Sequence, residues 1–213
     1  MFFQTTCPTC ERFSHSQGIC HACRKWDLVG SYGSPTQSIQ VTKIRSGYWY
    51  TGPAKRWLHL VKYYGLTYYL KQQKTAIVDG FPHHEFSGST LVPVPIHPWR
   101  RARRGFNQSE LIAQYLGDAL GMTVNSGILQ RVSHTRPQVG LGAGLRRRNL
   151  KDSLDVQIQG GDRRIVLIDD VFTTGSTLKA CTAALKNDGY RNVDAWTLFR
   201  GIPSGELENL KIG

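Results

Sequence analysis

Short apolar runs alternate with stretches of helical period along most of the chain. Residues 90 to 94 (TLVPV), 163 to 169 (RRIVLID) and 192 to 199 (NVDAWTLF) are runs of the length and β-rich composition expected of buried strands, and residues 123 to 131 read as a further one. Leu111, Ile112, Tyr115, Leu116, Ala119 and Leu120 recur with helical period. Asn107 is the expected cap of that helix, Glu110 its capping-box partner, and Gly121 its end. A second helix is expected from Ser176 to Gly189. A third begins at Pro53, where Trp57, Leu60, Val61 and Tyr64 form an apolar stripe and Lys55, Arg56, His59 and Lys62 lie off it. Before it, residues 41 to 53 have the look of a hairpin turning at Ser46-Gly47. The stretch after residue 94, up to about residue 106, reads as an irregular basic loop. Repeated strand and helix units imply an α/β fold with a parallel sheet flanked by helices, in which ligands bind at the carboxyl ends of strands.

Residues 27 to 40 are rich in Gly, Ser and Pro and read as a linker, which divides the chain into a segment of residues 1 to 26 and a main domain from 41 to 213. Four of the five cysteines fall in the short segment, as Cys7-x2-Cys10 and Cys20-x2-Cys23. Two turns that each present a pair of thiolates suit tetrahedral Zn2+. So short a segment has little apolar content from which to build a core, whereas a structural zinc supplies roughly 10–16 kcal/mol of apparent binding free energy that is also folding free energy. A small N-terminal zinc ribbon is therefore expected. Cys181 has helical spacing with Leu178 and Leu185 and reads as a buried small residue, and His83-His84-Glu85 reads as a polar loop.

No run of eighteen apolar residues occurs and the first residues carry no leader pattern, so a cytoplasmic location is expected. The net charge of +12 calls for an anionic partner: nucleic acid, a phosphorylated metabolite or an acidic membrane surface. Residues 165 to 177, IVLIDDVFTTGST, narrow that choice. The turn Thr173, Thr174, Gly175, Ser176, Thr177 lies between a strand and a helix start, where hydroxyls and unpaired N–H groups converge on an anion and glycine admits close approach. The preceding carboxylates, Asp169 and Asp170, would repel a polyphosphate docked on them but accept hydrogen bonds from vicinal hydroxyls. A ribose 5'-phosphate offers both features.

This stretch resembles the phosphoribosyl-pyrophosphate (PRPP) motif of type I phosphoribosyltransferases. With the four-cysteine N-terminus, KYYG at 62 to 65, LVPVPIHPWRRARRGFNQSELIA at 91 to 113 and RPQVGLGAGLRRRNLKDSL at 136 to 154, the chain resembles the ComF family, also called ComFC or GntX-like. The resemblance implies a zinc ribbon on a phosphoribosyltransferase fold and a role in natural transformation, in which single-stranded DNA enters the cytoplasm. It implies that Asp169 and Asp170 are the catalytic acids and hold the ribose hydroxyls, that Thr173 to Thr177 wrap the 5'-phosphate, and that Arg104 serves the pyrophosphate, with Arg100, Arg101 and Arg103 as further candidates. Mg2+ would accompany the departing pyrophosphate. Arg136, Gln138 and Arg146 to Asn149 would belong to a hood loop over the reacting centre. Purine-using members of the fold carry an aspartate where this chain has Thr173, which weakens a purine-salvage reading.

Lys55, Arg56, Lys62, Arg100, Arg101, Arg103, Arg146, Arg147 and Arg148, with the aromatic run Tyr48-Trp49-Tyr50, combine charge and stacking surfaces for single-stranded DNA. Three readings stay open: a competence protein that binds PRPP and single-stranded DNA, an active phosphoribosyltransferase with an unidentified acceptor in nucleotide metabolism, and a zinc-bearing adaptor whose transferase fold is only a scaffold. The chain has no Walker-type G-x4-G-K-[ST] motif, so a motor must be another protein; the family resemblance implies a ComFA-type helicase as a partner that the zinc ribbon would dock.

Overall fold

The computed structural model describes residues 5–14, 19–29, 40–132 and 153–203. Its elements begin with β1 (Thr5–Thr6), β2 (Phe13–Ser14), α1 (His21–Arg24) and β3 (Ile44–Trp49). The helices α2 (Gly52–Tyr64), α3 (Tyr68–Gln72), α4 (Lys74–Asp79) and α5 (His83–Phe86) follow, then β4 (Thr90–Pro93), α6 (Pro98–Arg104) and α7 (Gln108–Leu120). The chain continues through β5 (Leu129–Val132), β6 (Ser153–Val156), β7 (Ile165–Phe172), α8 (Ser176–Asn187) and β8 (Val193–Arg200).

Four strands form a parallel sheet in the order β3-β8-β7-β4. Every residue of β8 is buried, as are the first four of β7. Strands covered on both faces read as continuous apolar runs, which is why the sequence betrays them. On one face Val166, Ile168 and Leu198 join Trp57, Val61, Ile77 and Ile112 from the helices α2, α4 and α7. On the other, Ile165, Leu167 and Ala195 pack with Leu178, Cys181 and Leu185 of α8 and with Leu129 of the antiparallel β5–β6 ribbon.

Several local expectations fail for identifiable reasons. Residues 44–49 are one strand parallel to β8, not a hairpin. Ser46 bonds Thr197 through their hydroxyls at 2.7 Å, and a Cβ on Gly47 would lie 3.3 Å from the ring of Trp196, so this glycine serves close packing and not a turn. The buried stripe of α2 is Ala54, Trp57, Leu58 and Val61, rotated from the expected one, and leaves Tyr64 67% exposed. The basic stretch before Gly105 is the helix α6, with Pro98 in its first turn and His97 Nδ1 accepting from Trp99 N at 3.1 Å. Asn107 caps α7 by accepting from Ser109 N at 3.1 Å and ties the helix to β4 by donating to Val94 O at 3.0 Å. Glu110 completes no capping box; it pairs with Arg101. Of residues 123–131, Val124 bridges to Leu91 beside β4, while Leu129 onward belongs to the separate ribbon.

The N-terminal segment is joined to the sheet. Trp49 N donates to Asp27 O at 2.8 Å and Val29 N to Gly47 O at 3.0 Å, so residues 27–29 run antiparallel along the edge of β3. The Trp26 ring meets Tyr48, Trp57 and Phe199 edge-on at centroid distances of 5.3, 4.9 and 4.8 Å. Cys7, Ile19 and Cys23 belong to the same apolar cluster as Trp57 and Phe199. Truncating Trp26 to Ala should therefore cost roughly 2–3 kcal/mol, toward the low end for an aromatic core truncation because the ring is only partly buried. Chemical denaturation checks this; an unchanged midpoint would show that the ring does not couple segment and sheet.

Candidate functional site

Asp169 and Asp170 lie near the carboxyl end of β7, just before Val171 and Phe172, and the structure gives the two carboxylates different surroundings. Asp170 is 4% exposed. Lys62 Nζ from α2 lies 2.9 Å from its Oδ1 and 2.8 Å from its Oδ2, and Gln108 Nε2 from α7 donates to Oδ2. Arg104 Nη1 in turn donates to Gln108 Oε1 at 2.6 Å. Asp169 is partly exposed: its Oδ1 accepts from Ser109 Oγ at 3.0 Å and from the Asp170 N–H at 2.8 Å. Its Oδ2 takes no hydrogen bond from the described residues. Burial, and then the negative charge of Asp170, raise the Asp169 carboxyl above the ordinary carboxylate range; its N–H and hydroxyl donors and Lys62 pull the other way.

The following turn is open. Thr173, Thr174 and Ser176 are exposed, and Gly175 adopts φ 74° at the start of α8, a conformation that suits glycine. Thr174 Oγ1 lies 3.2 Å from Ser176 Oγ and 3.4 Å from Ser176 N, folding the turn on itself. An acceptor oxygen, a hydroxyl-rich turn and the N-terminus of a twelve-residue helix thus occur in sequence at one strand end.

Lys62 and Arg104, expected at DNA and at pyrophosphate respectively, both belong to the network around Asp170, Lys62 directly and Arg104 through Gln108. The cleft of about 470 Å³ between α2 and α6 is lined by these two residues together with Arg100 and Arg103. Lys55 and Arg56 are exposed one to two turns earlier on α2, and Arg101 is engaged with Glu110. Arg136, Gln138 and Arg146 to Asn149 lie outside the described residues. Tyr48 and Trp49 are core residues at 6% and 4% exposure, and Tyr48 donates its hydroxyl to Ala76 O, so neither offers the stacking surface expected of it. Exposed rings occur elsewhere, at Tyr63, Tyr64, Tyr68 and Trp99. The sequence signal for Tyr63 and Tyr64 is their position as an aromatic doublet directly before the helix-ending Gly65.

Cys7, Cys10, Cys20 and Cys23 place their sulfurs within 4.8 Å of one another, the only such group among the described residues. Zn–S bonds of about 2.3 Å in a tetrahedron put sulfurs about 3.8 Å apart; Cys10 and Cys20 stand at 3.7 Å. Burial works against ionisation of Cys7, yet N–H groups of Cys20, Thr9 and Cys10 lower its thiol to about 6. A thiolate surrounded by N–H donors fits a metal ligand. Glu85, beside His83 and His84, is instead held by Lys43 at 2.8 Å and Arg45 at 3.1 Å. Cys181 is buried, and burial followed by the Asp169 charge pushes its thiol up to about 12.

Competence protein F of Haemophilus influenzae is 32% identical to the chain over 193 residues, covering 85% of this chain and 78% of that one. The chain belongs to the competence protein F family. Competence protein ComFC of Bacillus subtilis is 27% identical over 209 residues, covering 91% of this chain and 77% of its own. The DNA utilization protein YhgH of Salmonella typhi is 40% identical over 112 residues, 53% of this chain and 49% of its own. No family model matches. Among solved structures, a purine phosphoribosyltransferase from Pyrococcus horikoshii superposes on 62% of this chain and 81% of its own with a TM-score of 0.39 and 14% identity. No helix among the described residues is long and apolar enough to cross a membrane.

The raised Asp169 carboxyl has a consequence for stability. A folded-state value above the unfolded one means that stability is full below the ordinary carboxylate value of about 3.9 and falls as pH rises through the folded value. Asp169→Asn keeps an acceptor oxygen for Ser109 and removes the charge. It should melt a few degrees higher than the parent near pH 7, on the order of what 1–2 kcal/mol gives at this size, with the gap closing toward pH 4. Scanning calorimetry at both pH values decides; a variant that melts lower at pH 7 contradicts the assigned strain.

Proposed function

We propose that this chain serves competence, binding PRPP at the end of β7 and single-stranded DNA on its basic surface and assisting DNA transport into the cytoplasm. Membership of the competence protein F family supports the setting, and the names of its relatives tie them to competence and to DNA utilization. The observation that carries the PRPP reading is the Asp169 Oδ2, which takes no hydrogen bond from the described residues, ahead of the Thr173–Thr177 turn. In this reading Asp169 accepts from the ribose diol. Asp170 holds the walls of the site together through Lys62 and Gln108 and presents a fixed charge near the ring. The 5'-phosphate sits in the turn, taking the hydroxyls of Thr173, Thr174, Ser176 and Thr177 and the amides that α8 leaves unpaired. Arg104 and its neighbours on α6 receive the diphosphate through charge-assisted bonds.

Mg2+ in this reading travels with the diphosphate, because Lys62 already occupies the carboxylate of Asp170 that would otherwise offer it a ligand. Zn2+ fits the four cysteines and supplies folding free energy there. The Thr173 alcohol is neither acid nor base near neutral pH and so offers no general acid or base to an acceptor, and PRPP is proposed as a ligand in preference to a substrate that turns over. Pyrophosphate release from PRPP with a panel of bases would reverse that preference.

Calorimetric titration with PRPP and Mg2+ tests the site. The parent should bind, and Asp169→Ala should bind roughly 10- to 100-fold more weakly, the range for a hydrogen bond to a charged group, with unchanged zinc content. Equal affinity would remove Asp169 from the site. Metal analysis should return one zinc per chain. Chelation should shift the melting of the whole molecule, since the cysteine segment shares its apolar cluster with α2; a main transition that ignores chelation would contradict this.

A further inference from the structure

Helix α2 ends at Tyr64, and α6 runs from Pro98 to Arg104; between them lies the cleft of about 470 Å³. Of the seven large hydrophobic or aromatic side chains left exposed among the described residues, three line this cleft: Tyr63 at 68%, Tyr64 at 67% and Trp99 at 61%. Exposure of such rings together costs hydration free energy that a helix ordinarily avoids by turning them inward. Arginines lie across them: Arg103 Cζ is 5.6 Å from the Trp99 ring centroid and Arg104 Cζ is 5.8 Å from that of Tyr63. Arg100 completes the wall, and among the described residues no acidic one lines the cleft.

We infer that this cleft is a binding site for single-stranded nucleic acid, in which unpaired bases stack on Tyr63, Tyr64 and Trp99 and the backbone phosphates lie against Arg100 and Arg103. The inference deepens the DNA reading above and rests on it. Flat rings with cations beside them match an unstacked base joined to a phosphate. A diphosphate alone gives no reason to expose three rings. A duplex keeps its base faces stacked inside, away from the rings. The volume lies within the roughly 300–1,000 Å³ of small-ligand clefts, room for a few bases and not for a folded domain.

The test is anisotropy of a labelled oligothymidine with the full-length chain. The parent should bind, with affinity falling about a hundredfold between 50 and 200 mM salt if roughly five phosphates are neutralised. Trp99→Ala and Tyr63→Ala should each weaken binding about 5- to 150-fold and leave the salt slope unchanged, whereas Trp99→Phe should restore most of the affinity. Arg100→Gln with Arg103→Gln should flatten the slope by about 0.7 for each phosphate that is no longer neutralised. Zinc content and PRPP affinity of Trp99→Ala report that it is folded. If the parent binds the oligonucleotide while both Trp99→Ala and Tyr63→Ala bind within twofold of it, the location is wrong and the DNA reading stands. If the parent binds no oligonucleotide at 50 mM salt, both fall. Equal affinity for a duplex of the same length would overturn the stacking assignment.

Discussion

The ion pair between Lys62 and Asp170 is the contact on which the candidate site depends. A carboxylate 4% exposed near a strand end would be costly alone, and two pairing distances under 3 Å to Lys62 offset that cost. Gln108 adds direction. Its amide has one donor end and one acceptor end; the donor meets Asp170 and the acceptor meets Arg104. Reversing the amide would set oxygen against carboxylate and NH2 against guanidinium, so the chain Arg104–Gln108–Asp170–Lys62 has one stable polarity. Through it α2, α6, α7 and β7 share a fixed geometry. Asp169 is then the carboxylate with an oxygen left over.

How much of this the sequence reveals depends on which residues speak for themselves. Ile165 to Asp170 is readable as a strand running into acids because a strand buried on both faces leaves no polar interruption. The cysteine cluster is readable because its two pairs are local in sequence. The difference between Asp169 and Asp170 is not, since it is made by Lys62 and Gln108, 108 and 62 residues away in sequence. Phase is a second blind spot. Trp57 and Val61 fit two overlapping stripes on α2, one with Leu60 and Tyr64 and one with Ala54 and Leu58, and only the sheet beneath selects the second. The same ambiguity hides the exposed rings. Gly47 and the helix α6 fail for a third reason: glycine marks close packing as readily as a turn, and a run of arginines looks like loop until His97 and Pro98 are seen to start a helix.

The cysteine segment also does more than its composition implies. By running beside β3, residues 27–29 cover a sheet edge that would otherwise present unpaired N–H and C=O groups. Trp26 then closes the corner between that edge, α2 and β8 by meeting three rings edge-on. Folding free energy that a metal at the four sulfurs would supply would thereby reach the sheet through packed rings, instead of staying confined to a tethered module.

The carboxyl end of α2 faces two ways. Lys62 turns toward Asp170, while Tyr63 and Tyr64, each a further 100° around the helix, leave the rings exposed at the cleft. Arg104 touches both: its guanidinium donates to Gln108 and lies over the Tyr63 ring. A sugar diphosphate and a nucleic-acid strand in the places proposed for them would therefore draw on the same cations. Charges a few ångströms apart in a partly buried cleft are screened far less than the 8–10 Å Debye length of physiological salt implies for open surface. Two anions drawing on the same arginines of α6 would oppose one another unless Mg2+ neutralised the diphosphate. By this electrostatic reasoning, the metal that accompanies the sugar diphosphate sets whether the two ligands exclude each other or bind together.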